Sequence, residues 1–368
     1  MQYIKQLDSI RGIAVLLVLL SHWVPIYIFQ SGAFIGVNTF FVLSGFLISN
    51  ILFDNKNKAE AAGFSKLIAV KNFFFRRALR IFPIYFLVVI SLYLLEEGKL
   101  IDLKNEIIYL LTFSINFHFY NLKYFGVYTA HLWSLAVEEQ FYLVWPWLLL
   151  FLKREHIPFA ILIFILTGSI SQLFIQDHFG YITTYRCLDA FGLGALLSWL
   201  YTYKPQLLKK TYQLLNYIIL ATLGIVLLWL YGLLPVPMPA RTLISIFALW
   251  VITYIVLNTQ SNKELRFSFL LNNRKLIFIG KISYSIYLYH FYIPFLASRF
   301  FNYLQLLLPN FFKPYAIILY AIGIFGATIF LSWLSWRLVE LPIMRFKKYF
   351  EYQIPKPSSS PEKPAYIT

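Results

Sequence analysis

Apolar runs of roughly twenty residues follow one another along most of the chain, divided by short stretches where charge, proline or glycine collects. A helix of about 20 residues matches the hydrocarbon thickness of a bilayer, so each run predicts a membrane span. Ten spans are expected, at about 10–29, 33–53, 74–95, 132–152, 157–175, 182–203, 213–233, 241–258, 276–297 and 315–337. The segment NEIIYLLTFSINFHF, Asn105 to Phe119, is apolar but short. Counting it as a span would invert everything after it, so it is expected to be re-entrant or interfacial. LLPVPMP, with Pro235, Pro237 and Pro239, predicts a turn between spans. The expected fold is therefore all-α and polytopic, with a membrane domain over 1–348. The Pro/Ser/Lys-rich residues 349–368 are expected to form a disordered cytoplasmic tail.

Composition supports the membrane assignment. Hydrophobic residues make up 60% of the 368 and charged residues only 13%, against about a quarter in soluble domains. The net charge of +16 would fit a nucleic-acid binder, but the basic residues are not spread evenly. With a cytoplasmic N-terminus, the predicted spans place 25 of the 32 Lys and Arg on the inner side and 7 on the outer side. That asymmetry is the positive-inside pattern and predicts both termini in the cytoplasm, with no nucleic-acid partner. The first apolar run lacks a small-residue cleavage site, so it is expected to be a retained helix. The lone cysteine, Cys187, excludes an internal disulfide and a Cys-based metal cluster.

Several ionisable residues nevertheless fall within the apolar runs, where each is costly. In LDSIRGIAVLLVLLSHW, Leu7 to Trp23, Arg11 and His22 are separated by about 16 Å along a helix and about 20° around it. Asp8 lies on the same face, one turn from Arg11. One reading is a snorkelling Arg with an Asp partner and a structural His; the other uses the neutral imidazole as a proton acceptor. In HLWSLAVEEQFYLVWPWLLL, His131 to Leu150, Glu138 and Glu139 are expected at the depth of His22. A carboxylate there would either orient the imidazole or bond to other helices. In FFFRRALRIFPIY, Arg77 and Arg80 share a face with Arg76 alongside. They suit phosphate binding, but on these residues alone an ordinary cytoplasmic basic cluster is the favoured reading. His290 is a secondary candidate on the ninth run, while His131 is expected to cap or precede the fourth. His118, His156 and His178 are expected to be solvated. No histidine pair has metal-ligand spacing with a carboxylate, so no catalytic metal is expected.

Taken in order, these blocks resemble the acyltransferase-3 family of integral-membrane O-acyltransferases. The likeness is carried by LDSIRGIAVLLVLLSHW, GVNTFFVLSGFLIS, FRRALRIFPIY and HLWSLAVEEQFYLVWP, with YRCLDAFGLGALL, IGKISYSIYLYH and RLVELP as weaker matches. It covers the chain to about residue 345. The resemblance implies His22 as the catalytic centre, Glu138 as a functional acid, and Arg11, Arg77 and Arg80 on the acyl-CoA side. Asp8, Asn38, Arg186, Ser283, Tyr284, His290 and Glu340 fall on supporting or acceptor-side positions. Many members carry Asp where this chain has Asn38, which removes any ionised role there.

The function implied is transfer of an acyl group, most often acetyl, from cytoplasmic acyl-CoA to a hydroxyl of an extracytoplasmic glycan. O-antigen, capsule, exopolysaccharide and lipid-linked sugars are all candidate acceptors. The protein would be a multi-pass component of the bacterial cytoplasmic membrane, with membrane lipid as a partner. Acetyl-CoA would be a substrate, and no permanently bound cofactor is expected. On the residues alone, a transporter or flippase of a lipid-linked glycan is the alternative, since it too would need ten spans and buried charge.

Overall fold

The computed structural model describes residues 3–24, 31–63, 65–98, 103, 105–174, 177, 179–230, 233, 239–261, 265–298 and 316–350. Within them the chain is helical, as the apolar runs require. Long helices are α1 (Lys5–Trp23), α2 (Gly32–Ala62) and α3 (Lys66–Glu97). Two short ones follow, α4 (Glu106–Leu111) and α5 (Ile115–Leu122). Then come α6 (Trp133–Phe151), α7 (Ile157–Phe174), α8 (Leu188–Tyr203), α9 (Leu208–Leu230) and α10 (Ala240–Gln260). The remainder is α11 (Ser268–Leu271), α12 (Arg274–Lys281), α13 (Ser283–Tyr289), α14 (292–298) and α15 (Ala316–Ser335).

Five stretches are long and apolar enough to cross a membrane: Gly32–Ala61, Lys66–Glu97, Arg154–Phe174, Ala240–Thr259 and Ile318–Phe350. Many of their large apolar side chains point outward, Leu94 and Ile322 being more than 60% exposed. Lipid rather than water is the solvent that suits such a surface. This is a multi-pass helical membrane protein.

Two expectations change. Residues 105–119 form two helices, α4 and α5, hinged at Thr112–Ser114 and each too short to span. The expected ninth span, 276–297, is not one helix but three pieces in succession: α12, α13 and α14. Asn273 starts this series by accepting the Lys275 and Leu276 amide hydrogens, an ordinary N-cap. The breaks place Ser283 at the start of α13 and His290 at its end, which matters for the site. Pro235 and Pro237, His178 and residues 351–368 lie outside the described residues.

Glycine sets the closest approaches. A side chain on Gly280 would collide with the carbonyl oxygen of Asp8, and one on Gly12 would lie 2.5 Å from that of Leu276. α1 and α12 therefore touch backbone to backbone, as small residues allow in membranes. Gly45 and Gly194 do the same for α2 against α8. Gly32 packs on Leu17 and Gly36 on Ala14, so α2 runs antiparallel to α1. Lys56, 1% exposed, donates to the carbonyls of Leu149, Leu150 and Leu152 at 3.1, 3.0 and 2.6 Å. It thereby satisfies the open carbonyl end of α6 and pins α2 to it.

Candidate active site

Helix α1 runs alongside the α12–α13 strip in the same direction. Ser9 donates to the Leu271 carbonyl at 2.7 Å, Arg11 to Ser283 Oγ at 3.1 Å, and His22 meets His290 at 3.1 Å. Arg11 and His22, about 16 Å apart along α1, thus share one partner strip. Asp8 pairs with Arg11 at 3.6 Å and accepts a hydrogen bond from Tyr3.

The His22 end of this strip holds three imidazoles. His290 is fully buried, and its Nδ1 lies 2.6 Å from the Tyr287 carbonyl. A carbonyl only accepts, so Nδ1 of His290 carries the proton and Nε2 of the neutral ring holds the lone pair. His22 Nδ1, 3.1 Å from that Nε2, must then be the donor. This leaves Nε2 of His22 as the basic nitrogen. His22 is exposed, and its ring meets the edge of Phe291, with centroids 4.9 Å apart. Trp23 donates to the His290 carbonyl at 3.1 Å and holds α1 in register with the end of α13.

The third ring is His131, buried in the turn before α6. Its Nε2 donates to the Leu288 carbonyl at 3.2 Å, and its ring stacks on Phe291 with centroids 4.6 Å apart. His131 thus precedes the fourth run, as expected, and also joins the cluster. Among the described residues no group of three or more His, Cys, Asp or Glu side chains is arranged to hold a metal ion.

At the Arg11 end lies a cavity of about 700 Å³. Its wall takes in Asp8, Arg11, Arg76, Arg77, Arg80, Ser283 and Tyr284. Two of the cations there are matched, Arg11 by Asp8 and Lys58 by Asp54 at 2.7 Å. Arg76, Arg77 and Arg80 remain opposite the single carboxylate of Glu138, so the cavity favours an anion. The Arg77 guanidinium lies over the rings of Tyr142, at 5.3 Å, and Phe73, at 5.9 Å.

The cavity reaches toward the histidines and meets Ser134 and Tyr287. Tyr287 belongs to both regions. Its hydroxyl donates to the His131 carbonyl at 2.8 Å, and its ring centroid is 5.3 Å from that of His290. Ser134 Oγ lies 2.7 Å from the same hydroxyl. The expected continuous face from Arg11 to His22 is therefore divided by the Tyr287–Ser134 pair.

Glu138 occupies a different place from the expected one. It accepts from Ser44 Oγ at 2.6 Å, and Tyr142 donates to the same Ser44 at 3.1 Å. The residue at His22 depth on this part of the chain is His131, and Glu138 follows seven residues later, about 10 Å along the helix. The partner that orients His22 is His290, not Glu138. Glu138 belongs to the cationic cavity.

Other predicted positions separate. Ser283 and Tyr284 line the Arg cavity, where Tyr284 also donates to the Ile81 carbonyl at 3.0 Å. Arg186 sits elsewhere, reaching the carbonyls of Asp177 and Gln172 at 3.5 Å. Asn38 is buried and accepts from Arg241 at 2.9 Å. Arg241, 2% exposed, also donates to the Tyr181 carbonyl at 2.6 Å and lies over Phe34, Phe41 and Trp133. Nothing in the sequence singles out Arg241, and His118, expected to be solvated, is not. The latter is half-buried, stacked on Tyr109 with centroids 4.0 Å apart. Glu340, in a π-helical turn over Trp336–Glu340, accepts from Ser285.

The chain's sequence is similar to known proteins along almost its whole length. The peptidoglycan O-acetyltransferase OatA of Listeria monocytogenes is 30% identical over 378 aligned positions, covering 95% of this chain and 57% of that protein. The O-acetyltransferase OatA of Staphylococcus aureus is 28% identical, covering 94% of this chain and 58% of its own length. The chain thus spans less than three-fifths of the curated relatives it matches. No solved structure matches it. Membership of an acyltransferase family does not support the transporter alternative. The family described as acyltransferase domain matches residues 4–337, a range holding the histidine cluster and the arginine cavity, and the chain belongs to this acyltransferase-3 family.

Proposed function

We propose that the protein is a membrane O-acetyltransferase that moves an acetyl group from cytoplasmic acyl-CoA to a hydroxyl of an extracytoplasmic glycan. The observation that carries this reading is the hydrogen-bond chain from His22 through His290 to the Tyr287 carbonyl, placed beyond a cavity rich in arginine. Arg11, Arg77 and Arg80 bind the donor's phosphates, since guanidinium forks match phosphate oxygens. The slender pantetheine arm extends toward the Tyr287–Ser134 partition, which must yield for the thioester to reach His22.

His22 Nε2 then removes the proton from the acceptor hydroxyl as its oxygen attacks the thioester carbon. The carbon–sulfur bond breaks, and the imidazolium returns its proton to the departing thiolate. His290 holds the reactive tautomer and stabilises the imidazolium through a charge-assisted hydrogen bond. An acyl-imidazole route is the other path open to the same nitrogen, with the thioester attacked first by Nε2. The acceptor is a cell-surface glycan; the name of the Listeria relative specifies peptidoglycan. The membrane domain over 1–348 has ten spans, both termini lie in the cytoplasm, and the bilayer is the bacterial inner membrane.

Purified protein in proteoliposomes, given acetyl-labelled acetyl-CoA and glycan, tests the reading. Label is expected on the glycan with one free CoA released per acetyl transferred. Glycan movement across the bilayer without donor consumption would overturn it.

A further inference from the structure

The C-terminal end of the described chain folds back on the arginine turn of α3. Residues Arg345–Phe350 form a 3-10 segment. Phe350 stacks on Phe75 with ring centroids 4.8 Å apart and planes 5° from parallel. Phe75 immediately precedes Arg76, and Phe350 stands three residues after Lys347. The stack thus packs the segment that carries Lys347, itself half-buried, against the arginine turn of α3. Glu340 is the acid that faces it, and that carboxylate already accepts from Ser285.

Four cations held together in partial burial repel one another. The fold holds them there with specific packing when lysines and arginines on an open surface would spread apart. An anion with several charges turns this repulsion into binding. Coenzyme A has a diphosphate and a 3′-phosphate monoester, and the monoester alone carries about −1.5 to −2 at neutral pH. Three guanidiniums and one ammonium offer a matching charge. The family model matches residues 4–337, ten residues short of Lys347, while the similarity to the Listeria relative continues past it.

We propose that Lys347 is a donor-binding residue that completes the phosphate site formed by Arg76, Arg77 and Arg80. The inference rests on the acyl-CoA reading above and extends the site to a segment past the end of the family model's match. Lys347 contacts phosphate and not the reacting atoms, so its loss weakens donor binding and leaves the chemical step alone.

The test measures binding and turnover of Lys347→Gln and Lys347→Arg in zwitterionic-lipid proteoliposomes, with thermal unfolding as the folding control. Lys347→Gln is expected to weaken CoA binding and raise the KM for acetyl-CoA about tenfold, the loss of one charge-assisted contact. Its kcat stays unchanged, as does its kcat/KM with acetyl-pantetheine, which lacks the phosphates. Lys347→Arg retains most of the affinity. Dephospho-CoA locates the contact: an unchanged affinity assigns Lys347 to the 3′-phosphate, and a tenfold loss assigns it to the diphosphate. Either result supports the proposal. An unchanged KM, an equal loss with acetyl-pantetheine, or an effect confined to vesicles containing anionic lipid would overturn it. Wild-type protein that neither binds CoA nor consumes acetyl-CoA would instead refute the donor reading itself.

Discussion

Nδ1 of His22 lies 3.1 Å from Nε2 of His290, and the opposite nitrogen of His290 is bound to the Tyr287 carbonyl. The carbonyl fixes one tautomer, and that tautomer fixes the next. In the proposed mechanism a second imidazole takes the place an acid holds in many catalytic triads.

His290→Ala is therefore expected to lower kcat by about a hundredfold or more, the usual scale for a lost general-base arrangement. The donor KM stays near the wild-type value, because the cavity wall is formed by other residues. His290→Gln, which can present an acceptor near the Nε2 position, restores part of the rate. Steady-state kinetics on the two variants and the wild type separate this role from a packing role, which would show as lost protein or a changed KM.

The charge state at Asn38 offers a test of stability. Arg241 is buried and takes a neutral oxygen from Asn38. Asn38→Asp is expected to raise the thermal midpoint in detergent by supplying a carboxylate to that guanidinium. Asn38→Leu removes the acceptor and is expected to cost about 2 kcal/mol, as for a hydrogen bond to a charged group. Unfolding followed by scanning fluorescence checks both signs.

These positions show how much was legible in the sequence. The common face of Asp8, Arg11 and His22 follows from helical period alone, and the structure keeps all three on the α12–α13 strip. The partner of His22 was not legible, because His290 arrives 268 residues later through a backbone break after α13. Nor was Asn38's cation, 203 residues away. Glu138 falls short of the expected depth because the first span, expected to reach residue 29, ends at Trp23; His22 sits at its end, level with the turn that precedes α6. Hydrophobic period locates a face; only tertiary packing sets which faces meet.

Glycine packing gives a sharper contrast. Gly280→Ala would drive a methyl into the Asp8 carbonyl, whereas nothing lies within 4 Å of a side chain added at Gly323. The first change is expected to destabilise by about 3 kcal/mol, the upper range for overpacking. It should also reduce activity by displacing Arg11 from Ser283. Gly323→Ala is expected to be neutral or slightly stabilising. Yield, thermal midpoint and turnover compared across the pair check this.

Topology can be read with introduced cysteines, because Cys187 is the chain's one cysteine and is buried. Exposed Val127 and Lys209 fall on opposite sides in the ten-span reading. A membrane-impermeant maleimide applied to intact cells is expected to label Val127→Cys and to reach Lys209→Cys only after lysis. The reverse pattern would invert the assignment of donor and acceptor sides.

The central claim is that Nε2 of His22 performs the transfer. His22→Ala, reconstituted with labelled acetyl-CoA and glycan, tests it most directly when CoA binding is measured on the same sample. The account predicts wild-type CoA affinity with no label passed to the glycan. A His22→Ala protein that still acetylates glycan at a rate near wild type would contradict it.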